Sequence, residues 1–107
     1  MTYSLSFLPE VEKDILSVYK WYEKKAVGLG EEFISMFYAN ITELSKNPLL
    51  CPKMCNEFRR YLLKRFPYAV YFIIEDKNII IFGVFHCARN PNTIKTKIEY
   101  RNKRKLY

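Results

Sequence analysis

The sequence predicts an α+β domain in which a small, mainly antiparallel sheet carries a helical hairpin on one face. Apolar residues recur with helical spacing in two stretches between residues 9 and 46. Residues 58–85 are instead rich in aromatic and β-branched residues and are divided by short turns. With 107 residues, half of them hydrophobic, the chain can form one core but hardly two. The expected element order is β-α-α-β-β-β.

The chain is expected to begin with a strand and a helix. In residues 3–8 the apolar side chains Tyr3, Leu5 and Phe7 alternate with serines, which is typical of a half-buried strand. Pro9 and the acidic residues after it favour a helix start, because proline has the required φ angle and negative charge stabilises a helix N-terminus. The apolar residues that follow with helical spacing are Val11, Ile15, Val18, Tyr19 and Tyr22.

A second helix is predicted after the break at Gly28-Leu29-Gly30. Its apolar stripe consists of Phe33, Phe37, Ile41 and Leu44, and Asn47-Pro48 ends it. Because the connection is short, the two helices should form an antiparallel hairpin.

Three strands are predicted in the second half of the chain. Residues 49–57 have no periodicity and contain Pro52, so they are expected to be a loop. Strands are expected over residues 58–64, 68–74 and 79–85, the last being the most hydrophobic. Gly83 inside that strand predicts a bulge or the close approach of another backbone.

The net charge of +7 is distributed unevenly along the chain. Residues 1–57 carry six basic and eight acidic residues, whereas residues 58–107 carry twelve basic and three acidic ones. Residues 92–107 alone account for +5, and residues 58–89 for +4. We therefore expect a single domain over residues 1–91, a basic C-terminal tail over residues 92–107, and an acidic or polyanionic partner.

No cofactor, metal or membrane partner is expected. Cys51, Cys55, His86 and Cys87 could supply zinc ligands, but adjacent residues at a strand end point to opposite faces, so free thiols are expected. The chain has no Gly-rich phosphate loop. Its apolar runs are shorter than the ~18 residues of a membrane span, and residues 1–10 lack a basic signal region, so a cytoplasmic location is expected.

The basic strands could carry chemistry on phosphate. His86 stands at the end of the most hydrophobic strand, close to Arg89, and the neighbouring strand supplies Arg59, Arg60 and Arg65. Arginines around a histidine can hold a phosphodiester and assist proton transfer. An ordinary solvated basic rim would have the same composition.

Three tyrosines interleave with these basic residues. Tyr61, Tyr68 and Tyr71 could stack on bases while the arginines bind phosphates. Tyrosines of a small sheet also commonly fill the core, and that alternative stays open for all three. For Val70 and Phe72 a core position is expected.

Several segments taken together resemble the toxins of the RelE/ParE superfamily, and they span most of residues 3–91 in the family's order. These segments are Trp21-Tyr22-Glu23, Gly28-Leu29-Gly30-Glu31-Glu32-Phe33, Asn47-Pro48, residues 58–71 and Val84-Phe85-His86-Cys87-Ala88-Arg89-Asn90-Pro91. The resemblance implies the toxin of a bacterial type II toxin–antitoxin pair, with a cognate antitoxin as partner.

The superfamily has two branches. RelE-like toxins cleave messenger RNA in the ribosome, whereas ParE-like toxins inhibit DNA gyrase. The RelE-like branch places an arginine where this chain has Tyr68, and the segments Arg-Phe-Pro-Tyr and His-x-x-Arg-x-Pro resemble the ParE-like branch. We therefore expect a ParE-like toxin whose target is DNA gyrase. One alternative is a ribosome-dependent mRNA endoribonuclease, in which case the protein would be an enzyme. The other is a small basic RNA-binding protein anchored by residues 95–105.

The resemblance also implies where the site lies. The residues expected to bind the target are Arg59, Arg60, Arg65, Tyr68, Tyr71, His86 and Arg89. In the endoribonuclease alternative, the three arginines Arg59, Arg60 and Arg65 would bind the scissile phosphate. His86 would then be the acid or base that assists attack by the 2′-hydroxyl.

Overall fold

Five strands form one mixed sheet with helices on both faces. The computed structural model describes the backbone of residues 2–105 and the side chains of residues 2–103. The elements are β1 (Ser4–Phe7), α1 (Pro9–Lys25), α2 (Leu29–Lys46), a 3₁₀ turn (Pro48–Leu50), β2 (Lys53–Cys55), β3 (Phe58–Leu62), β4 (Tyr68–Glu75), β5 (Asn78–His86) and α3 (Pro91–Lys105).

The sheet has the strand order β1-β5-β4-β3-β2. Each of the strands β2 to β5 is antiparallel to the next one along the chain. Strand β1 lies at the sheet edge and pairs in parallel with β5, with Ser4 opposite Asn78 and Phe7 opposite Ile81. The predicted α+β class, the helical hairpin and the mainly antiparallel sheet are thus confirmed.

Two details of the sheet differ from the expectation. Residues 53–55, predicted as loop, form β2, in which Lys53 pairs with Arg59. Three residues are too few to show a periodicity, which explains why the sequence did not indicate this strand. Phe7 was expected on a half-buried face but is 41% exposed, because it lies at the sheet edge where β1 ends.

The C-terminal segment is a helix packed on the sheet. The prediction treated residues 92–107 as a tail, yet residues 91–105 form α3, with Ile94 and Ile98 buried against the sheet. These two residues are four apart and therefore lie on one helix face. The domain boundary at residue 91 stays a prediction, and residues 106 and 107 lie outside the described part.

The two faces of the sheet have separate cores. On one face, β4 and β5 pack against the hairpin through residues such as Phe72 and Ile81, which meet Phe33 and Phe37 of α2. The predicted core positions of Val70 and Phe72 are confirmed, since both are fully buried there. The opposite face lies against α3 and contains Phe58, Ala69, Tyr71, Ile73, Ile80, Phe82, Phe85, Ile94 and Ile98.

The bulge predicted at Gly83 is present. Tyr71 of β4 pairs with Gly83, but Phe72 pairs with Ile81, so Phe82 is an extra residue in β5. A Cβ at Gly83 would collide with the ring of Phe85 and lie 3.0 Å from Nη1 of Arg101. Glycine is therefore required here so that a ring and a guanidinium can approach the backbone.

Candidate functional site

Arg59 is used inside the fold. Its Nη1 donates to the carbonyl oxygen of Cys51 at 2.6 Å and reaches that of Leu49 at 3.5 Å. The guanidinium thus holds the segment between the 3₁₀ turn and β2 against β3. Because these carbonyls occupy it, Arg59 is less available to a phosphate than the sequence suggested.

The side chains of Arg60 and Arg65 lie in different parts of the structure. Arg60 follows Arg59 along β3 and so faces the opposite side of the sheet, directly across from Tyr71. Arg65 lies in the β3–β4 turn, where its Nη2 forms an ion pair of 2.7 Å with Oε1 of Glu32 on α2. The three arginines therefore do not converge on one phosphate position, contrary to what the endoribonuclease alternative requires.

Tyr71 belongs to the core. It is 1% exposed, between the sheet and α3, with its ring 5.9 Å from that of Phe85. Burial raises the pKa of Tyr71, against a smaller opposing effect of Arg60. The expectation that this side chain is open to a target is wrong for this structure, because α3 covers the sheet face from which it projects.

Tyr68, His86 and Arg89 come together at one end of β4 and β5. Tyr68 pairs with His86 across the strands, and their rings meet edge to face at 5.0 Å. Nδ1 of His86 accepts a hydrogen bond from the backbone N–H of Ala88 at 3.0 Å, so in the neutral ring Nε2 carries the proton. Burial raises the pKa of Tyr68, which therefore stays a neutral phenol near pH 7.

These residues line a groove between α1, the end of β5 and α3, which we call the α1–β5–α3 groove. Its volume is about 370 Å³. The lining residues are Asp14, Ser17, Val18, Trp21, Tyr68, Val84, Phe85, His86, Arg89 and Lys97. Sequence reasoning missed the contributions of Trp21 and Lys97, because α1 was treated only as a core helix and α3 as a tail.

A buried ion pair closes one side of this groove. Asp14 of α1 accepts two hydrogen bonds from Arg101 of α3, at 2.8 and 3.1 Å. The same two side chains also bind the β5 backbone. Arg101 donates to the carbonyl oxygen of Phe82 at 2.8 Å, and Asp14 accepts from the N–H of Val84 at 3.2 Å. The pairing of β1 with β5 ends at Ile81. Beyond that residue, the side chains of Asp14 and Arg101 bind the backbone groups of the β5 edge in place of a strand.

The Trp-Tyr-Glu and Gly-Leu-Gly segments meet at the hairpin turn. Glu23 accepts hydrogen bonds from the backbone N–H groups of Gly28 at 3.0 Å and Gly30 at 2.9 Å. Gly28 has φ 88°, which favours glycine. The carboxylate therefore satisfies free N–H groups at the start of α2 and complements its dipole.

The cysteines show no sign of a shared ligand. Burial raises the pKa of the Cys51 and Cys55 thiols, while Cys87 is exposed, and all three are free. Among the described residues, no three His, Cys, Asp or Glu side chains come together as metal ligands. Within residues 2–105 there is also no helix with the length and apolar character of a membrane span.

The fold is similar to that of chains from solved structures of toxin–antitoxin systems. A chain of the chromosomal ParDE system from P. aeruginosa has a TM-score of 0.71 and 17% identity, covering 79% of this chain and 96% of that one. A mutant of the E. coli toxin RelE in the free state has a TM-score of 0.58 and 13% identity, covering 94% of this chain and 98% of that one. A chain of the RelBE2 toxin–antitoxin complex from Mycobacterium tuberculosis has a TM-score of 0.56 and 15% identity, covering 80% of this chain and 99% of that one.

The sequence itself settles the family. Residues 5–91 match the family described as the ParE toxin of the type II toxin–antitoxin system parDE. The chain belongs to this ParE toxin family, which confirms the resemblance stated above. No curated protein sequence matches the chain.

Proposed function

We propose that this ParE toxin inhibits DNA gyrase and that a cognate antitoxin neutralises it. The observation that carries the proposal is the ParE family match over residues 5–91. The site geometry supports it, because a neutral Tyr68 stands where the RNA-cleaving branch has an arginine, and Arg59, Arg60 and Arg65 have separate surroundings. Gyrase is a cytoplasmic enzyme, so the proposal also places the toxin in the cytoplasm.

The contacts with the target are assigned to the exposed end of β4 and β5. Tyr68, His86 and Arg89 form its centre, while Arg60 and Arg65 flank it on either side of the sheet. Arg59 and Tyr71, also expected at the site, contribute by holding β2 and the α3 face in place.

A supercoiling assay with purified gyrase tests the target. The toxin is expected to block supercoiling, and the variant with Arg60→Ala and Arg65→Ala to block it less. Its melting temperature should stay close to that of the wild type, because Arg60 is only partly buried and Arg65 is exposed, and charges at such positions contribute about 1 kcal/mol or less. The matched control is Lys13→Ala with Lys20→Ala, which removes the same charge from the exposed side of α1. Undisturbed supercoiling by the wild-type toxin would contradict the proposal.

The antitoxin is proposed to dock against an apolar groove beside β1 and the hairpin. ParDE and RelBE, the systems of the similar structures, each pair a toxin with an antitoxin. The groove has a volume of about 490 Å³ and includes Phe7, Leu16 and Tyr38, each between 41% and 54% exposed. An amphipathic antitoxin helix could bury these side chains.

Co-expression with the product of an adjacent small gene tests this docking. The pair should co-purify, and Leu16→Asp in the groove should abolish the complex while Lys20→Asp on the same helix does not. Equal co-purification of both variants would place the antitoxin elsewhere.

The second candidate function is ribosome-dependent cleavage of mRNA. The observation favouring it is the proximity of His86, Tyr68 and Arg89, because a histidine whose Nε2 is free of protein partners among the described residues could serve as acid or base. A translation extract distinguishes the two functions. Messenger RNA cut by the wild type but not by His86→Ala would replace the gyrase proposal, whereas intact mRNA would exclude cleavage.

A further inference from the structure

Three leucines are exposed beside the outer edge of β3. Leu49 and Leu50 belong to the 3₁₀ turn and Leu62 ends β3, and these residues are between 53% and 77% exposed. Leu50 and Leu62 line the same cavity, which has a volume of about 690 Å³ and which we call the β3-edge cavity. Apolar side chains grouped on one part of a surface are typical of an interaction site.

The edge of β3 is open at this cavity. Strand β2 pairs with β3 at Phe58 and Arg59, and the N–H of Arg60 donates to the carbonyl oxygen of Pro52 at 3.2 Å. In the described part of the chain, no strand flanks Leu62 on that side. Backbone groups alternate in direction along a strand, so the N–H of Leu62 faces the same side as that of Arg60. An extended polypeptide is the kind of partner that pairs with an open edge.

The charge around the β3-edge cavity is positive. Lys46, Arg60 and Lys64 line it, together with Glu43, whose carboxylate pairs with Lys46 at 3.5 Å. Among the described residues, no carboxylate forms an ion pair with Arg60 or Lys64. Two uncompensated positive charges therefore lie beside the leucines, and carboxylates of a partner would complement them.

This combination favours an acidic protein over a second copy of the chain or a nucleic acid. Two copies that met at this edge would bring the same two cations together from both sides, and like charges repel. A nucleic acid would match the cations, but its bases stack on aromatic rings and its phosphates bind positive charge, so the leucines would have no role. An apolar side chain framed by carboxylates matches both features.

The β3-edge cavity adjoins the surface already assigned to gyrase. Arg60 lines the cavity and also flanks the exposed end of β4 and β5, while Lys64 directly precedes Arg65. We propose that the cavity anchors the toxin to gyrase by receiving an apolar side chain, framed by carboxylates, from an extended segment of the target. This inference rests on the proposed function and deepens it, because a few buried contacts carry most of the affinity of a protein interface.

Supercoiling assays with two Leu50 variants test the anchor. Leu50→Asp should raise the toxin concentration needed for half inhibition by about tenfold, because it removes an apolar contact and repels the carboxylates of the target. Leu50→Lys should raise it less, since its charge attracts them. Equal losses for the two variants would overturn the proposal of an acidic partner. Because Leu50 is highly exposed, the melting temperature of both variants should stay close to that of the wild type.

Val27→Asp is the matched control. It places the same negative charge on another exposed apolar residue, in the turn between α1 and α2, which does not line the β3-edge cavity. We expect it to change the inhibitory concentration by about twofold or less, because salt screens charges that are not in contact. Equal losses for Leu50→Asp and Val27→Asp would overturn the proposal in favour of a general effect of charge.

The remaining outcomes separate the possible occupants. If the wild type leaves supercoiling undisturbed, the proposed target fails and this inference fails with it. If the wild type and Leu50→Asp block supercoiling equally, this inference alone fails. Leu50→Asp should still co-purify with the antitoxin. Loss of that complex with gyrase still inhibited would assign the cavity to the antitoxin, and a wild-type dimer that Leu50→Asp dissociates in sedimentation experiments would assign it to a second copy.

Discussion

The helical hairpin and α3 cover opposite faces of the same sheet, yet different forces hold them there. The hairpin face is a continuous apolar core in which Tyr22, Phe33 and Phe66 pack ring against ring, with centroids 5.0–5.9 Å apart. Among the described side chains of α3, Ile94 and Ile98 are the two that enter the apolar core of its face, which also relies on an ion pair that is nearly buried.

This difference predicts how each layer responds to substitution. An apolar layer loses stability in proportion to the volume removed from it. A buried ion pair instead fails as a unit, because removal of one partner leaves the other charged and without compensation. Removal of a charge should therefore cost more stability in the α3 layer than in the hairpin layer.

The largest loss is expected on the hairpin face. Phe37→Ala should lower the free energy of unfolding by about 4 kcal/mol, since Phe37 is fully buried and leaves a cavity between α2 and the sheet. Urea denaturation followed by circular dichroism measures this change. An unaltered transition midpoint would mean that the hairpin face is not the main source of stability.

The ion pair on the α3 face should have a somewhat smaller effect. Arg101→Met should cost about 3 kcal/mol, because Asp14 is left as an uncompensated, mostly buried carboxylate. Hydrogen exchange should show the loss concentrated in α3, with the hairpin still protected. Adding Asp14→Leu should recover part of the stability, and a double variant no more stable than Arg101→Met would contradict this account.

A polar contact within the hairpin layer should matter less. Glu23→Gln should cost about 1.5 kcal/mol, because the amide weakens the charge-assisted hydrogen bonds to the N–H groups of Gly28 and Gly30. Thermal unfolding measures the loss. The control is Glu12→Gln, an exposed acidic residue in the first turn of α1, for which a smaller loss is expected.

The smallest effect is expected at the exposed ion pair between α2 and the β3–β4 turn. Arg65→Ala should change the free energy of unfolding by about 0.5 kcal/mol or less, because both partners are about half exposed. The same denaturation experiment tests it. A loss comparable to that of Arg101→Met would show that exposure does not separate the two ion pairs.

Most of the fold could be predicted because its elements have strong periodic patterns. The stripe Phe33, Phe37 and Ile41 specified α2, and the bulge followed from a glycine within an apolar strand. The helix α3 was missed because its apolar face consists of only two isoleucines among many basic residues. Their spacing, with Arg101 three residues after Ile98, was the available signal.

The site was less predictable than the fold. Tyr68, His86 and Arg89 do come together, as neighbours at the ends of adjacent strands should. What the sequence could not indicate is which arginines have partners within the protein, since the acceptors of Arg59 and Arg65 are a loop carbonyl and a carboxylate of another element. Such pairings depend on tertiary placement, which no local pattern records.

The position of β1 has a consequence for synthesis of the chain. Ser4 hydrogen-bonds to Asn78, 74 residues later, so the first strand has no partner until β5 has been made. The hairpin, by contrast, joins neighbouring segments and can form early. During translation β1 therefore has no strand partner until residues 78–81 of β5 have left the ribosome.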